Sequence, residues 1–374
     1  MIYFDHAAST PLISDALDVL VKSLQEDYAN PSAAHKLGKL SKKKIERVRA
    51  NILKTFKAKR GDQLIFLSSA TEANNLIIKG LELRDSDKVH FSMGDHPSTV
   101  VPAQSLQTQK EEIKLHLGGD IDLSDLVNKI DDSSALLILS HVNNQSGNLY
   151  DIEKISKEVK AKNPRIHIHV DGVQAVNKIE VKLATGIDSY TISGHKIGAP
   201  KGVGALFIKS GVELSAQMLG GGHEEGLRSS TVNTPLILSL AAAIDVGQRE
   251  LSDNFSRVSE LNVYLREKLA ELNLGIEFPF SSQNTSPYIL SLILPQISSD
   301  IVLRHLEMKD IFVASSSACS SKAKGYNAGY AAMGIDEAKH KFVLRVSFSR
   351  ESTREEVDSF IENLNRVIKE IKRI

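Results

Sequence analysis

Cysteine is nearly missing from this 374-residue chain, and the single copy, Cys319, excludes an internal disulfide framework and fits a reducing compartment. Net charge is missing too, because 46 Lys and Arg offset 46 Asp and Glu. That balance argues against a stable nucleic-acid partner or a membrane-surface binder. No apolar run reaches the length of a membrane span. The start, Met1-Ile2-Tyr3-Phe4-Asp5-His6, lacks the basic and apolar segments of a signal peptide. Internal repeats, low-complexity tracts and Pro/Gly/Ser-rich linkers are absent as well. What remains is a globular composition, 41% hydrophobic and 25% charged, on a chain longer than one ordinary domain. A cytoplasmic enzyme is the expectation.

From residue 62 onward, strand-like and helix-like runs alternate. Strands are expected at Gln63–Leu67, Lys88–Phe91, Ile113–Leu117, Ala135–Ser140, Ile166–Val170, Asp188–Ser193 and Gly204–Ile208. Helical spacing intervenes at Thr71–Leu83, Ser98–Gln107, Leu123–Ile130 and Asp151–Lys162. This alternation predicts an α/β fold with a mostly parallel seven-stranded sheet and helices on both faces. A long apolar-periodic stretch, Thr234 to Leu272, leaves the pattern and leads to a smaller α+β unit. The expected division is 14–254 for the large domain, with 1–13 and 255–374 forming the small one. Near the start, the basic run Lys36 to Arg49 is interleaved with Leu37, Leu40, Ile45 and Val48, as for a solvated face over an apolar stripe.

Chemistry concentrates at strand ends, where open α/β sheets collect ligands. The run from Ile187 ends in Ser193-Gly194-His195-Lys196, a small polar turn that could desolvate a lysine enough to make it a nucleophile or base. Asp171 closes another strand 25 residues earlier. A buried carboxylate and a lysine at neighbouring strand ends are what pyridoxal phosphate needs. The acid keeps the pyridine nitrogen protonated, and the amine holds the aldehyde. Ser68-Ser69-Ala70-Thr71-Glu72, between a strand and a helix, offers backbone N–H groups and hydroxyls for the phosphate. A glycine-rich loop, Gly220 to Thr231, carries Arg228 and further hydroxyls suited to an anion. His167 and His169 share a strand face, but no third ligand stands at a suitable spacing, so no metal is expected.

Several segments together resemble the cysteine desulfurases, in the class V aminotransferase branch of fold type I pyridoxal-phosphate enzymes. They are Tyr3 to Pro11, Asn30-Pro31-Ser32 with His35, Ala70-Thr71-Glu72-Ala73-Asn74-Asn75-Leu76, and His141-Val142-Asn143-Asn144. His169-Val170-Asp171 with Gln174, Ser193 to Lys196, the glycine-rich loop, Ser317-Ala318-Cys319 and Leu344 to Phe348 complete the set. The resemblance implies that Lys196 binds the cofactor and moves the substrate Cα proton. It implies Asp171 at the pyridine nitrogen, Gln174 and Asn144 at the phenolic oxygen, and His96 stacked on the ring. Thr71 with Ala70, Ser193 and His195 resemble the phosphate ligands, and Thr231 the one lent by the neighbouring subunit of a homodimer. Arg345, assisted by Asn30, sits where the family binds the carboxylate of L-cysteine. Cys319 resembles the sulfur acceptor, whose persulfide then passes to an acceptor protein. Its neighbours Lys322 and Lys324 would favour the thiolate.

Four positions depart from the family's usual pattern: Gln145 in place of glutamate, and Ser69, Ser230 and Ser316 in place of glycine. Serine in a glycine position implies loops set differently. Selenocysteine lyase and cysteine-sulfinate desulfinase share the same cofactor site and stand as alternatives. A silent cofactor-binding or sulfur-relay partner is a further one, against which Lys196, Asp171, Cys319 and Arg345 all speak.

Overall fold

The structure, a computed structural model, describes residues 1–184, 186–281, 283–315 and 326–371. Twelve strands run through the described residues: β1 (Ile2–Tyr3), β2 (Gln63–Leu67), β3 (Lys88–Phe91), β4 (Gln109–Glu112), β5 (Ser134–Ser140) and β6 (His167–Asp171). They continue with β7 (Ser189–Ser193), β8 (Gly204–Ile208), β9 (Ile289–Ile293), β10 (Ile311–Phe312), β11 (Ala314–Ser315) and β12 (Val343–Ser347).

Seven of these build the central sheet in the order β2-β8-β7-β6-β5-β3-β4. Neighbours from β7 to β4 pair in parallel, whereas β8 is antiparallel to both β7 and β2. Only β8 therefore runs against the rest, and β2, β3, β5, β6 and β7 all end on one edge. The inner strands are buried along almost their whole length, as continuous apolar runs require when helices cover both faces. Helices Ala70–Gly80, Pro97–Ser105 and Ile152–Lys162 make the crossovers. Each starts on a side-chain cap: Ser69 accepts from Glu72 N, His96 from Ser98 N and Asp151 from Lys154 N. Ser69 has φ −166°, extended backbone open to any residue, so serine there makes a cap and does not strain the loop.

A second apolar core, from Phe4 through Val258 and Leu292 to Phe360, lies under a three-stranded antiparallel sheet, β11-β12-β9. β1 pairs in parallel with β10, which joins the first residues of the chain to this part. The apolar stretch after Thr234 is two helices, Thr234–Arg249 and Leu251–Glu271. Among the described residues, no helix is long and apolar enough to cross a membrane.

Two expectations need correction. The strand expected at Ile113–Leu117 is instead β4, Gln-Lys-Glu-Glu, just before it. β4 is an edge strand, where charged side chains deter further pairing and the hydrophobic pattern is lost. In the helix Lys36–Thr55, Ile45 and Val48 are buried but Leu37 and Leu40 are exposed, so the apolar stripe is only half covered. Helix Ser14–Glu26 likewise leaves Leu17, Val21 and Leu24 open on one side.

Gly172 shows how tightly the strand-end edge is packed. A Cβ there would lie 1.9 Å from the Tyr190 ring, whose hydroxyl is 2.8 Å from His141 Nδ1. Gly172→Ala should therefore displace Tyr190 or the adjoining Asp171 turn and cost about 2 kcal/mol. A lower urea midpoint checks this; an unchanged midpoint would mean that the turn yields freely.

Candidate active site

Because five strands end on one edge, the loops that follow them converge. They line an open cleft whose empty volume, mouth included, is ≈ 940 Å³. Ser69, Ala70 and Thr71 come from the start of the helix after β2, His96 and Ser98 from the start of the helix after β3, and Asn144 from the loop after β5. Asp171 ends β6 and Gln174 follows it, while Ser193 ends β7 and His195 and Lys196 follow it. Arg345 reaches the cleft from β12. Ten of the residues singled out from the sequence thus share one cavity, although 275 positions separate Ala70 from Arg345.

Asp171 is buried and held from two sides: Asn74 Nδ2 donates to Oδ2 at 2.9 Å, and Val173 N donates to Oδ1 at 3.0 Å. β6 and β7 are adjacent, with Asp171 opposite Thr191, so Lys196 follows from the next strand over. Lys196 Nζ donates to the Ala7 and Ala8 carbonyls at 2.5 and 2.6 Å. Gln174 Nε2 donates to the same Ala7 carbonyl at 2.8 Å. Arg345 donates through Nη1 to Asn144 O and through Nη2 to Asp5 Oδ1, both at 2.8 Å. Its Nε is buried without a partner among the described residues. His96 Nδ1 lies 2.8 Å from Ser98 Oγ. Burial of the His96 ring lowers its pKa; Asp171 opposes that shift and Lys196 adds to it. His195 falls to about 4, mainly by burial, with Lys196, Lys201 and Lys178 contributing.

These groups fit pyridoxal phosphate by donor type. The carboxylate suits a protonated ring nitrogen and the amine suits an aldehyde. The helix start at Ala70 and Thr71, beside Ser193 and His195, suits a phosphate. Arg345, with an unsatisfied N–H, suits a carboxylate.

Matched against protein families, residues 2–360 fit the aminotransferase class-V family. The chain belongs to that family. Among similar curated proteins is one named cysteine desulfurase IscS 1 from Archaeoglobus fulgidus, 31% identical over 382 residues, covering 100% of this chain and 98% of the relative. Among solved structures, a NifS-like protein superposes with a TM-score of 0.92 at 27% identity, covering 98% of this chain and 99% of the other. A structure titled SspA in complex with cysteine gives a TM-score of 0.82 at 26% identity, with 94% and 100% covered.

Not every residue singled out from this class-V sequence joins the cleft. Thr231 lines a neighbouring cavity with Ser68, Arg228 and Ser230. Arg228, offered above as an anion ligand, instead pairs through Nε with Glu72 Oε1 at 2.8 Å. Asn30 is exposed outside the cleft lining, and its Oδ1 accepts from Ser32 N. Cys319, with Ser316, Ser317, Ala318, Lys322 and Lys324, lies outside the described residues. His167 and His169 face a common hydroxyl, Ser189 Oγ, at 2.8 Å each. Gln145 reaches Asn327 Oδ1 at 3.4 Å, tying the loop after β5 to the helix Ala328–Ala332.

Sequence reasoning missed Lys178, a buried amine that donates to Gln174 Oε1 at 2.7 Å. Burial, with repulsion from Lys196 and Arg345, lowers its pKa to about 7. Its place four residues after Gln174, in the turns that follow β6, was the available signal. A pKa depressed in the folded state means that charging Lys178 opposes folding. The penalty is complete below about 7 and fades as pH rises toward the ordinary value of 10.5. Lys178→Met in cofactor-free protein should therefore gain stability relative to the parent at the acidic end of that window. Urea midpoints at the two ends measure it, and a difference independent of pH would contradict the assignment.

Proposed function

We propose that the chain is a pyridoxal-phosphate-dependent cysteine desulfurase. The observation that carries this reading is the juxtaposition of Asp171 and Lys196, at the ends of adjacent parallel strands on one cleft. Full-length likeness to proteins named cysteine desulfurase supports the choice of substrate.

When bound, pyridoxal phosphate supplies a ring that can take up the electron pair left on a substrate Cα. The chain's own side chains do the rest. Lys196 would hold the cofactor's aldehyde, and its amine would move the substrate Cα proton. Asp171 holds the proton on the ring nitrogen. Gln174 and Asn144 serve the phenolic oxygen, and His96 covers the ring. Thr71, Ala70, Ser193 and His195 seat the phosphate. Arg345 is anchored by Asp5 and Asn144 O, which leaves Nε–H for the substrate carboxylate. Asn30 lies outside the cleft lining of this chain, so its part in carboxylate binding rests on the family resemblance alone. Cys319 attacks the substrate sulfur. L-Cysteine and the Cys319 thiol give L-alanine and a Cys319 persulfide, which a further thiol or an acceptor protein can take up. Onward use in iron–sulfur cluster assembly or thiolation, in the cytoplasm, fits a lone thiol in a reducing setting.

A homodimer belongs to the same reading. The uncovered stripe of Leu17, Val21 and Leu24, with Leu37 and Leu40 exposed on the next helix, supports a second copy as its cover. Thr231 would then serve the partner's phosphate site. The two main apolar cores support a division near residue 254, with Phe4 in the second core but Ala7, Ile13 and Ile289 packed in the first.

The test is production of alanine and sulfide from L-cysteine with a reductant, beside selenocysteine and cysteine sulfinate. Equal amounts of both products are expected from cysteine. Cys319→Ala should lose this activity yet keep the cofactor. Turnover of selenocysteine alone, surviving Cys319→Ala, would replace this reading with the lyase.

A further inference from the structure

Asn74 belongs to a segment that marks the family resemblance, yet no role above uses it. It is completely buried in the helix Ala70–Gly80, behind the cleft wall. Its amide makes four hydrogen bonds, the most an asparagine side chain can make. The nitrogen donates to Asp171 Oδ2 and to Ser98 Oγ, both at 2.9 Å. The oxygen accepts from Thr191 Oγ1 at 2.7 Å and faces His169 Nε2 at 3.0 Å.

Those partners fix the direction of every bond. A carboxylate only accepts, so the amide nitrogen must face Asp171, and the oxygen must face Thr191 and His169. His169 then carries its proton on Nε2. Burial holds that ring neutral, at a pKa of about 3, so its Nδ1 accepts from Ser189 Oγ. Ser189 Oγ in turn accepts from His167 Nε2. On the other branch, Ser98 Oγ accepts from Asn74 and directs its own proton to His96 Nδ1. Ser98 N donates to the same Nδ1 at 3.1 Å. With two donors on Nδ1, the proton of the neutral His96 ring is on Nε2.

We propose that Asn74 is a positioning residue of the cofactor site: its buried amide orients the Asp171 carboxylate and, through Ser98, holds His96 with its proton on Nε2. This rests on the reading of Asp171 and His96 as ring contacts. Asp171 is left with each oxygen tied to a fixed donor, which removes its freedom to rotate. One amide thereby sets two groups that reach the cleft from different loops.

Histidine-labelled full chain, with and without cofactor, gives the direct measurement: the ¹⁵N shifts of His96, assigned by their loss in His96→Gln. Protonated Nε2 and bare Nδ1 are expected. Ser98→Ala, which removes one of the two donors on Nδ1, should raise the His96 pKa. Asn74→Leu should weaken pyridoxal phosphate binding about tenfold or more, by loss of a hydrogen bond to a charged group. It should also shift the pH dependence of the bound cofactor's absorption, which a purely structural change would leave in place. A parent protein that binds the cofactor with its His96 proton on Nδ1 would overturn the inference alone. So would a folded Asn74→Leu that binds with parental affinity and pH dependence. If Asn74→Leu fails to fold, the parental shifts and Ser98→Ala still decide. A parent that binds no pyridoxal phosphate would overturn the site reading and this inference together.

Discussion

Three cations, Lys196, Lys178 and Arg345, crowd the side of the sheet on which Asp171 is buried, and burial, with repulsion from the other two, lowers the Lys178 pKa to about 7. Like charges at low dielectric are unfavourable unless opposite charge is brought among them. Asp5 answers Arg345, and the carbonyls of Ala7 and Ala8 accept hydrogen bonds from Lys196 Nζ. The arrangement favours an incoming anion and, above all, a ligand that is anionic at its rim and cationic at one ring atom. A phosphorylated pyridine carbaldehyde meets both demands, and an amino-acid carboxylate meets the first.

The chain's first residues connect the two apolar cores through this charged cluster. Phe4 is packed in the second core, against Phe348 and Phe360, while Asp5 pairs with Arg345 on β12. Ala7 and Ala8 then cap Lys196 and Gln174. Thr10 N donates to His195 O, and Ile13 enters the first core. A movement of the small sheet would reach the Lys196 amine through the short turn from Asp5 to Ala8. This gives the proposed substrate-carboxylate residue and the proposed cofactor residue a direct mechanical link.

How much was legible in the sequence follows from the range of the interactions involved. The inner strands were legible because burial on both faces writes a continuous apolar run. The edge strand β4 was not, because edges are written in charge. Asp171 and Lys196 were readable as polar residues closing such runs, and the parallel topology brings the ends together. Lys178 and Asn74 were less visible. Each looks like an ordinary helical or turn residue, and their significance lies in contacts with residues such as Asp171, 97 positions from Asn74. The ion pair of Arg228 was hidden for the same reason, since its partner Glu72 lies 156 positions away. Leu17, Val21 and Leu24 have the right periodicity for a core, and the sequence does not say whether their cover comes from this chain.

The central claim is that one amine, Lys196, holds the cofactor opposite Asp171. Borohydride reduction of the loaded protein, followed by peptide mapping, tests it most directly. The account predicts cofactor fixed irreversibly on the peptide carrying Lys196. Cofactor that washes away after reduction, or that is fixed on Lys178 instead, would contradict it.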